Sequence, residues 1–185
     1  MKTTTYAKLS KFVGKPSSNF DYSVTEFTKD KIFEYATNKC IAYRIIQDNY
    51  TEIKDGKIFN NLKGVKNVLK HNYTNIHRLF DSKYDNKGKR DDIPRLVKEF
   101  SKAKSVSDDT FHFMLGEKEF YFNTKTVKPA IEFVKTLMND NMELEFTDSN
   151  LKLEYSSEYE PLKITFFCLN ALVVQVLIAP TYNKK

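Results

Sequence analysis

From residue 91 onward, hydrophobic and polar positions alternate in a regular way that predicts an ordered series of helices and strands. The first element is a helix starting near Ile93, with Asp91 and Asp92 at its beginning, where the helix dipole favours carboxylates. Its apolar positions recur at helical spacing, and its basic positions fall on the opposite face. The apolar face holds Ile93, Leu96, Val97 and Phe100, and the basic face holds Arg95, Lys98 and Lys102.

A second amphipathic helix is predicted downstream, capped by Thr126 and ended by the polar residues 139–141. Pro129 falls in the first turn of this predicted helix, where a proline is tolerated. The apolar stripe consists of Val127, Ala130, Ile131, Val134, Leu137 and Met138, and the outer face of Lys128, Glu132 and Lys135. Both helices are therefore expected to pack on a sheet with one side and to carry lysines on the other.

The remaining segments of this half have the period of two that is typical of strands. Residues 142–146 and 151–155 alternate strictly between apolar and charged side chains, which predicts strands with one wet face. Apolar runs at 111–115, 119–122, 162–169 and 171–178 predict four more strands, the last two forming a C-terminal hairpin. Pro161 and Pro180 bound that hairpin, where they cost no ladder hydrogen bond.

The first half of the chain is less regular. Residues 1–24 predict an irregular lead-in, 30–39 a short helix and 40–46 a strand. A longer helix is predicted over 58–82, with Lys63, Lys66 and Lys70 away from its apolar stripe. Residues 81–92 are polar and contain glycine, which favours a flexible linker.

These elements predict an α+β fold with a domain boundary at residue 90. Residues 91–185 would form an antiparallel sheet with two amphipathic helices on one face. Residues 1–90 would form a basic, mixed and mainly helical region, which is either a shortened first domain of the same kind or something unrelated.

Charge separates the same two parts. The chain has 185 residues, of which 41% are hydrophobic and 29% charged, and a net charge of +6. Residues 1–90 carry 18 Lys and Arg against 9 Asp and Glu, whereas residues 91–185 carry 12 against 15. A basic half favours an anionic partner such as nucleic acid, and a lysine-rich surface that only maintains solubility explains the charge equally well.

The chain offers little sign of catalysis, metal binding or membrane insertion. Cys40 and Cys168 stand alone in apolar runs, which indicates reduced core residues and an intracellular location. No apolar stretch reaches the length of a membrane span. The sequence contains no Gly-rich phosphate loop, HExxH, GxSxG or CxxC motif, so we predict a protein that is not an enzyme and needs no cofactor or metal. A nuclease using Asp91 and Asp92 is the enzymatic alternative.

The order of elements from residue 93, together with the C-terminal segment, resembles a DNA sliding clamp of the proliferating cell nuclear antigen family. The resemblance is carried by Pro161-Leu162 at the start of one strand and by Ile178-Ala179-Pro180 at the end of the next. The interval between the two prolines is also similar to that of the family. The resemblance covers about half of the chain, residues 91–185.

The resemblance implies a clamp-like accessory protein or processivity factor at the site of DNA replication, such as the nucleus. It implies that basic helix faces contact the phosphates of double-stranded DNA without reading its sequence. The candidate nucleic-acid contacts are Arg95, Lys98, Lys102, Lys128 and Lys135, together with Lys63, Lys66 and Lys70. The candidate docking pocket, for replication or repair proteins with short motifs, is bordered by Pro161, Leu177, Ile178, Ala179 and Pro180. A homo-oligomer or hetero-oligomer is also implied.

Two other interpretations fit the same pattern. One is a small interaction or inhibitor protein, for example a viral one, that binds a host protein without contacting DNA. The helices could also be ordinary amphipathic helices with solvated faces, and the segment 178–180 a strand end stopped by proline.

Overall fold

The computed structural model describes residues 8–12, 23–50, 58–62, 65–68, 76–103, 109–140, 147, 150–168 and 171–181. Within these residues it contains eleven strands, three α-helices and a 3-10 helix. The helices are the 3-10 helix Lys8–Phe12, α1 His77–Asp81, α2 Asp92–Ala103 and α3 Thr124–Asp140. The strands are β1 Ser23–Phe27, β2 Lys31–Thr37, β3 Ile41–Asp48, β4 Ile58–Leu62, β5 Val65–Val68, β6 Asn86–Lys87, β7 Thr110–Leu115, β8 Lys118–Asn123, β9 Leu151–Tyr155, β10 Leu162–Phe167 and β11 Val173–Ile178.

Nine of these strands form one antiparallel sheet in the order β5-β4-β1-β2-β3-β11-β10-β9-β6. The pairing of β3 with β11, in which Tyr43 lies opposite Val176, joins the two halves of the chain into this sheet. Strands β7 and β8 form a separate hairpin. The predicted α+β class with an antiparallel sheet is confirmed, and the division at residue 90 stays a prediction.

The large sheet has apolar side chains on both of its faces. Along β11, Val174, Val176 and Ile178 belong to the main core, whereas Leu177 belongs to a smaller cluster on the other face. This follows from the period of two in a strand, which sends neighbouring side chains to opposite sides. We call the side of the main core the helix face and the opposite side the outer face.

Helices α2 and α3 both bury their apolar stripes in the main core, as the sequence predicts. Helix α3 packs across β3 and β11, and α2 packs against α3 and β7. Helix α3 begins at Thr124, before the predicted cap, because the Asn123 side chain accepts a hydrogen bond from the Thr126 backbone N–H at 3.1 Å. Pro129 consequently lies in the second turn of α3 rather than in the first.

Two predicted helices in the first half are wrong. The segment predicted as a helix over 30–39 is β2, which pairs with both β1 and β3. The segment predicted as a helix over 58–82 contains the hairpin β4–β5 and the short helix α1. Short apolar runs fit both the helical period of 3.6 and the strand period of two. Here β2 forms backbone hydrogen bonds with β1 and β3, and β4 with β1, which makes these segments strands. The residues of the first half that the structure describes are accordingly mostly in strands, and the prediction of a mainly helical region is wrong for them.

The predicted strands agree with the structure wherever it describes them. Strand β3 matches 40–46, and β7 to β11 match the five predicted strands over 111–115, 119–122, 151–155, 162–169 and 171–178. The predicted strand over 142–146 lies outside the described residues. The linker predicted over 81–92 differs, because it contains β6 at the edge of the sheet. The Gly88 N–H donates to the Leu153 carbonyl at 2.9 Å, and a Cβ at Gly88 would lie 2.8 Å from Leu153 Cδ2.

Candidate nucleic-acid and partner interfaces

A groove of about 590 Å³ runs between α2 and α3, on the side of these helices that faces away from the sheet. Lys98 and Lys102 of α2 and Lys135 of α3 stand around it, and all three are exposed. Val97 and Met138 contribute apolar surface to the same groove. Three of the predicted nucleic-acid contacts are thus brought together by the packing of two helices that are distant in the sequence.

Arg95 lies outside this groove and is engaged within the protein. Its Nη2 donates to Asp92 Oδ1 at 2.7 Å and to the Met114 carbonyl at 2.6 Å, and its Nη1 lies 3.5 Å from Glu99 Oε1. The guanidinium also stacks over the Phe113 ring at 4.4 Å. Two carboxylates therefore offset its charge, which weakens its role as a phosphate contact.

Lys128 lies on the solvent-exposed side of α3 and forms a weak ion pair with Glu132. Its Nζ is 4.0 Å from Glu132 Oε1, and both side chains are nearly half-exposed. Exposed pairs at this spacing contribute little to stability, so Lys128 can turn to another anion at small cost.

The 3-10 helix brings further positive charge to α3. Lys8 Nζ donates to Thr136 Oγ1 at 2.6 Å, and Lys11 is exposed on the same short helix. Leu9 and Phe12, both buried, anchor the segment in the main core. The sequence predicts an irregular lead-in here, and this prediction is wrong for residues 8–12, where the i, i+3 spacing of Leu9 and Phe12 indicates the short helix.

Of the remaining three predicted basic contacts, the structure describes Lys66, which lies on a strand and not on a helix. Lys66 belongs to β5 at the edge of the sheet, where it pairs with Asn61. Lys63 and Lys70 lie outside the described residues. The helical stripe expected to hold these lysines is therefore wrong, and their contact with nucleic acid stays a prediction.

The predicted docking residues surround the end of the C-terminal hairpin. Leu162 pairs with Ile178, which places Pro161 beside Ala179 where the strands end. Pro161, Ala179 and Pro180 are half-buried. Leu177 and Ile178 are 3% and 1% exposed and belong to cores on opposite faces of the sheet. Their side chains are therefore part of the protein interior and stabilise this surface without being exposed on it.

A cavity of about 450 Å³ opens next to the point where the chain leaves β11. The Thr181 N–H donates to the Tyr121 carbonyl at 2.7 Å, which ties this exit to β8. The lining is acidic and aromatic and includes Glu117, Glu158, Tyr121 and Tyr159. An open, chemically distinct cavity thus adjoins the predicted docking residues.

On the outer face, α1 covers the centre of the sheet through a polar network formed by Glu26, Arg44, His77, Asp81 and Gln175. The Arg44 side chain is only 6% exposed and donates to Asp81 Oδ1 at 2.6 Å and to Gln175 Oε1 at 2.8 Å. Its guanidinium lies 4.9 Å from the centre of the Phe80 ring. The sequence did not reveal this network, because its members come from four separate elements.

The same network sets the tautomer of His77. Arg44 Nη1 lies 3.1 Å from His77 Nδ1, and an arginine can only donate, so Nδ1 accepts and the ring proton sits on Nε2. His77 Nε2 is 3.0 Å from Glu26 Oε2 and donates to it. This hydrogen bond lowers the pKa of Glu26, against the opposing effect of burial.

We expect the Glu26 carboxylate to make stability depend on pH in the acid range. Because its pKa is lower in the folded state, the ionised group stabilises the fold above the unfolded-state value of 4.5. That contribution is lost as the pH falls through the folded-state pKa. We therefore expect the free energy of unfolding in urea to fall less between about pH 6 and about pH 3 for Glu26→Gln than for the wild type. The exposed control Glu117→Gln should behave like the wild type, and equal losses in all three proteins would contradict the prediction.

A second buried cation ties the segment after α1 to the sheet. The Lys163 side chain is 9% exposed and lies 3.1 Å from Glu154 Oε2, and its ammonium group is 4.4 Å from the centre of the Tyr84 ring. Burial, followed by the charges of Glu154 and Glu160, raises the pKa of Tyr84 to about 12. Residues 76–84 thus connect the two halves of the chain and are held on the outer face by charged groups.

The carboxylates considered for a nuclease are engaged within the protein. Asp91 pairs with Arg90 at 3.3 Å, and Asp92 accepts from Arg95 and from the Lys89 N–H, both at 2.7 Å. In the described part of the chain, no group of three or more His, Cys, Asp or Glu side chains could hold a metal ion. No helix among the described residues is both long enough and apolar enough to cross a membrane.

The fold is similar to that of solved bacterial clamps. The DNA polymerase sliding clamp of Bacillus subtilis matches with a TM-score of 0.60 and 9% identity, over 97% of this chain and 62% of the clamp. The DNA polymerase beta subunit of Streptococcus pyogenes matches with a TM-score of 0.58 and 9% identity, over 99% and 65%. A putative DNA polymerase III beta subunit of Eubacterium rectale matches with a TM-score of 0.62 and 10% identity, over 98% and 63%. No protein-family model and no curated protein sequence match the chain.

These similarities extend beyond the segment that suggested them. The resemblance carried by the sequence covers residues 91–185, whereas the structural matches cover nearly the whole chain. The chain spans about 60 to 65% of the length of the clamps that it matches. The protein therefore has the fold of the DNA sliding clamps.

Proposed function

We propose that the protein is a non-catalytic, clamp-like accessory factor of intracellular DNA replication that holds duplex DNA through the lysines of α2 and α3. The observation that carries this proposal is the convergence of Lys98, Lys102 and Lys135 around one groove on the helix side of a sliding-clamp fold. Lys8, Lys11 and Lys128 extend the same positive surface. Contacts of this kind bind phosphate without reading the base sequence, which suits a protein that moves along DNA.

Charge reversal of the three groove lysines tests the proposal. We expect Lys98→Glu/Lys102→Glu/Lys135→Glu to weaken binding to a fluorescent duplex by about 100-fold at low salt. Each lost phosphate contact removes about 0.9 from the slope of log K against log salt, so the slope should decrease by about 2.7. Fluorescence anisotropy at several salt concentrations measures both quantities.

A matched control separates this surface from net charge. Lys29, Lys83 and Lys87 are exposed and lie on loops or at the sheet edge, and none of them lines the groove. Lys29→Glu/Lys83→Glu/Lys87→Glu carries the same change of charge and should lose far less affinity. The proposal is wrong if the two triple variants lose affinity equally, or if the wild type binds duplex DNA independently of salt.

We further propose that partner proteins dock at the end of the C-terminal hairpin. Pro161, Ala179 and Pro180 adjoin a cavity with an acidic and aromatic lining, which favours a short motif with aromatic and basic side chains. Because an outermost strand can pair with a strand of another subunit, we propose an assembly of several subunits that meet through β5 and through the β7–β8 hairpin. Native mass spectrometry of the full chain tests the assembly.

The division at residue 90 is part of the same proposal. Residues 1–90 and 91–185 would be two clamp-like units linked by the segment around α1. Hydrogen exchange of the full chain tests this, since β1 to β3 and β7 to β11 should then open as two separate cooperative units.

A further inference from the structure

The groove between α2 and α3 combines an apolar floor with a basic rim. Val97 is 9% exposed and Met138 is packed against the main core, while Pro94 adds exposed apolar surface at one end. A phosphate backbone makes polar and ionic contacts and gains nothing from such a floor. The floor therefore points to a ligand with apolar side chains.

Two of the rim lysines, Lys98 and Lys135, differ from the other cations around these helices. Arg95, Lys125 and Lys128 each have a carboxylate partner on the protein. Lys98 and Lys135 have none among the described residues. Their charge is thus available to a ligand that places carboxylates on both sides of its apolar contacts.

The shape of the groove narrows the choice of ligand. It is open along its length, has a volume of about 590 Å³ and lies between two helices of 12 and 17 residues. A groove of this kind accepts the apolar face of an amphipathic helix, and methionine adapts its shape to different apolar partners.

We infer that the groove between α2 and α3 binds an acidic amphipathic helical segment of a partner protein, and that this segment competes with duplex DNA for Lys98, Lys102 and Lys135. The apolar side chains of the segment lie on Val97 and Met138, and its carboxylates face the lysines. Partner binding at this groove does not require that the protein binds DNA. A protein that occupies the groove would block the basic surface of α2 and α3.

A synthetic helical peptide provides the probe. It has about 18 residues, with leucine on one helical face and glutamate on the other, and a control peptide of the same composition has its leucines dispersed around the helix. We expect the full-length protein to bind the amphipathic peptide at least about 10-fold more tightly than the control, because only the former presents a continuous apolar face. Equal affinity for the two peptides would overturn the inference.

Two kinds of variant test the two parts of the groove. Lys98→Gln/Lys135→Gln should weaken binding of both the peptide and duplex DNA, whereas Met138→Gln should weaken only the peptide, by about 5 to 10-fold. Met114→Gln, at an exposed methionine on β7, is the matched control and should change neither. Pro94→Gln, at an exposed position in the groove, should also weaken binding of the peptide, and it replaces Met138→Gln as the test if that variant fails to fold.

The outcomes separate this inference from the proposed function. If Met138→Gln and Pro94→Gln both leave the peptide affinity unchanged while the lysine variant weakens it, the groove is only a polyanion site and the inference is wrong. If the wild type binds the peptide but not duplex DNA, the inferred binding of an acidic helix stands, whereas the proposed DNA contact and the competition with it are wrong. Displacement of bound duplex DNA by the amphipathic peptide supports both the inferred peptide site and the proposed DNA contact.

Discussion

Replacing Phe133 by alanine is expected to lower the free energy of unfolding by about 3 to 5 kcal/mol. Phe133 is fully buried on α3 and meets the Phe12 ring edge to face, with ring centres 5.4 Å apart. Its removal leaves a cavity under α3 and takes away the contact that holds the 3-10 helix. We therefore expect faster amide exchange at residues 8–12 together with the loss of global stability, measured by urea unfolding and hydrogen exchange.

Phe167→Ala is the matched control. Phe167 lies at the end of β10, is 38% exposed and contacts Lys152 through its ring face at 4.9 Å. Because it is already partly hydrated, its removal should cost no more than about 1 kcal/mol. Equal losses for the two phenylalanines would contradict the packing of α3 on the sheet.

Replacing Arg44 by alanine should lower the free energy of unfolding by about 3 kcal/mol. The substitution removes charge-assisted hydrogen bonds to Asp81 and Gln175 and the stacking on Phe80, all at a side chain that is 6% exposed. Asp81 is 61% exposed and can return to water, which places the loss at the lower end of the range for buried pairs. Denaturant unfolding measures the loss, and hydrogen exchange should show α1 opening first.

The control for Arg44 is Arg90→Ala. Arg90 pairs with Asp91 at 3.3 Å, but the two side chains are 47% and 85% exposed, so the pair should contribute less than about 1 kcal/mol. If Arg44→Ala were as mild as Arg90→Ala, or if α1 kept its protection, the polar network would not be what holds α1 on the sheet.

The second half of the chain was predictable because its local pattern and its burial coincide. In α2, the residues placed on the apolar face by spacing are the ones that are buried, and β9 alternates between buried and half-buried positions as its sequence does. In the first half, β3 was predicted as a strand, but β2 and β4 were not. These two segments carry short apolar runs whose period is ambiguous between helix and strand. Their assignment depends on pairing with β1 and β3, which no local pattern reveals.

The candidate site shows the same division at the level of single side chains. Lys98 and Lys135 were predicted to face outward from their helices, and they do so. Arg95 was predicted to contact phosphate along with them, but Asp92 and Glu99 lie one turn away on the same helix and reach its guanidinium. Carboxylates at i−3 and i+4 were therefore the available signal that its charge would be offset.

From the amino-acid pattern alone came the antiparallel layer of the second half, its two amphipathic helices and their lysines, because the burial period of a segment is a local property of the chain. The three-dimensional arrangement was needed to show that β3 joins β11, that lysines of two helices share one groove, and that Arg44 anchors α1. These features arise between segments far apart in sequence, where the free energy depends on which edges and faces meet rather than on the order of residues within any one of them.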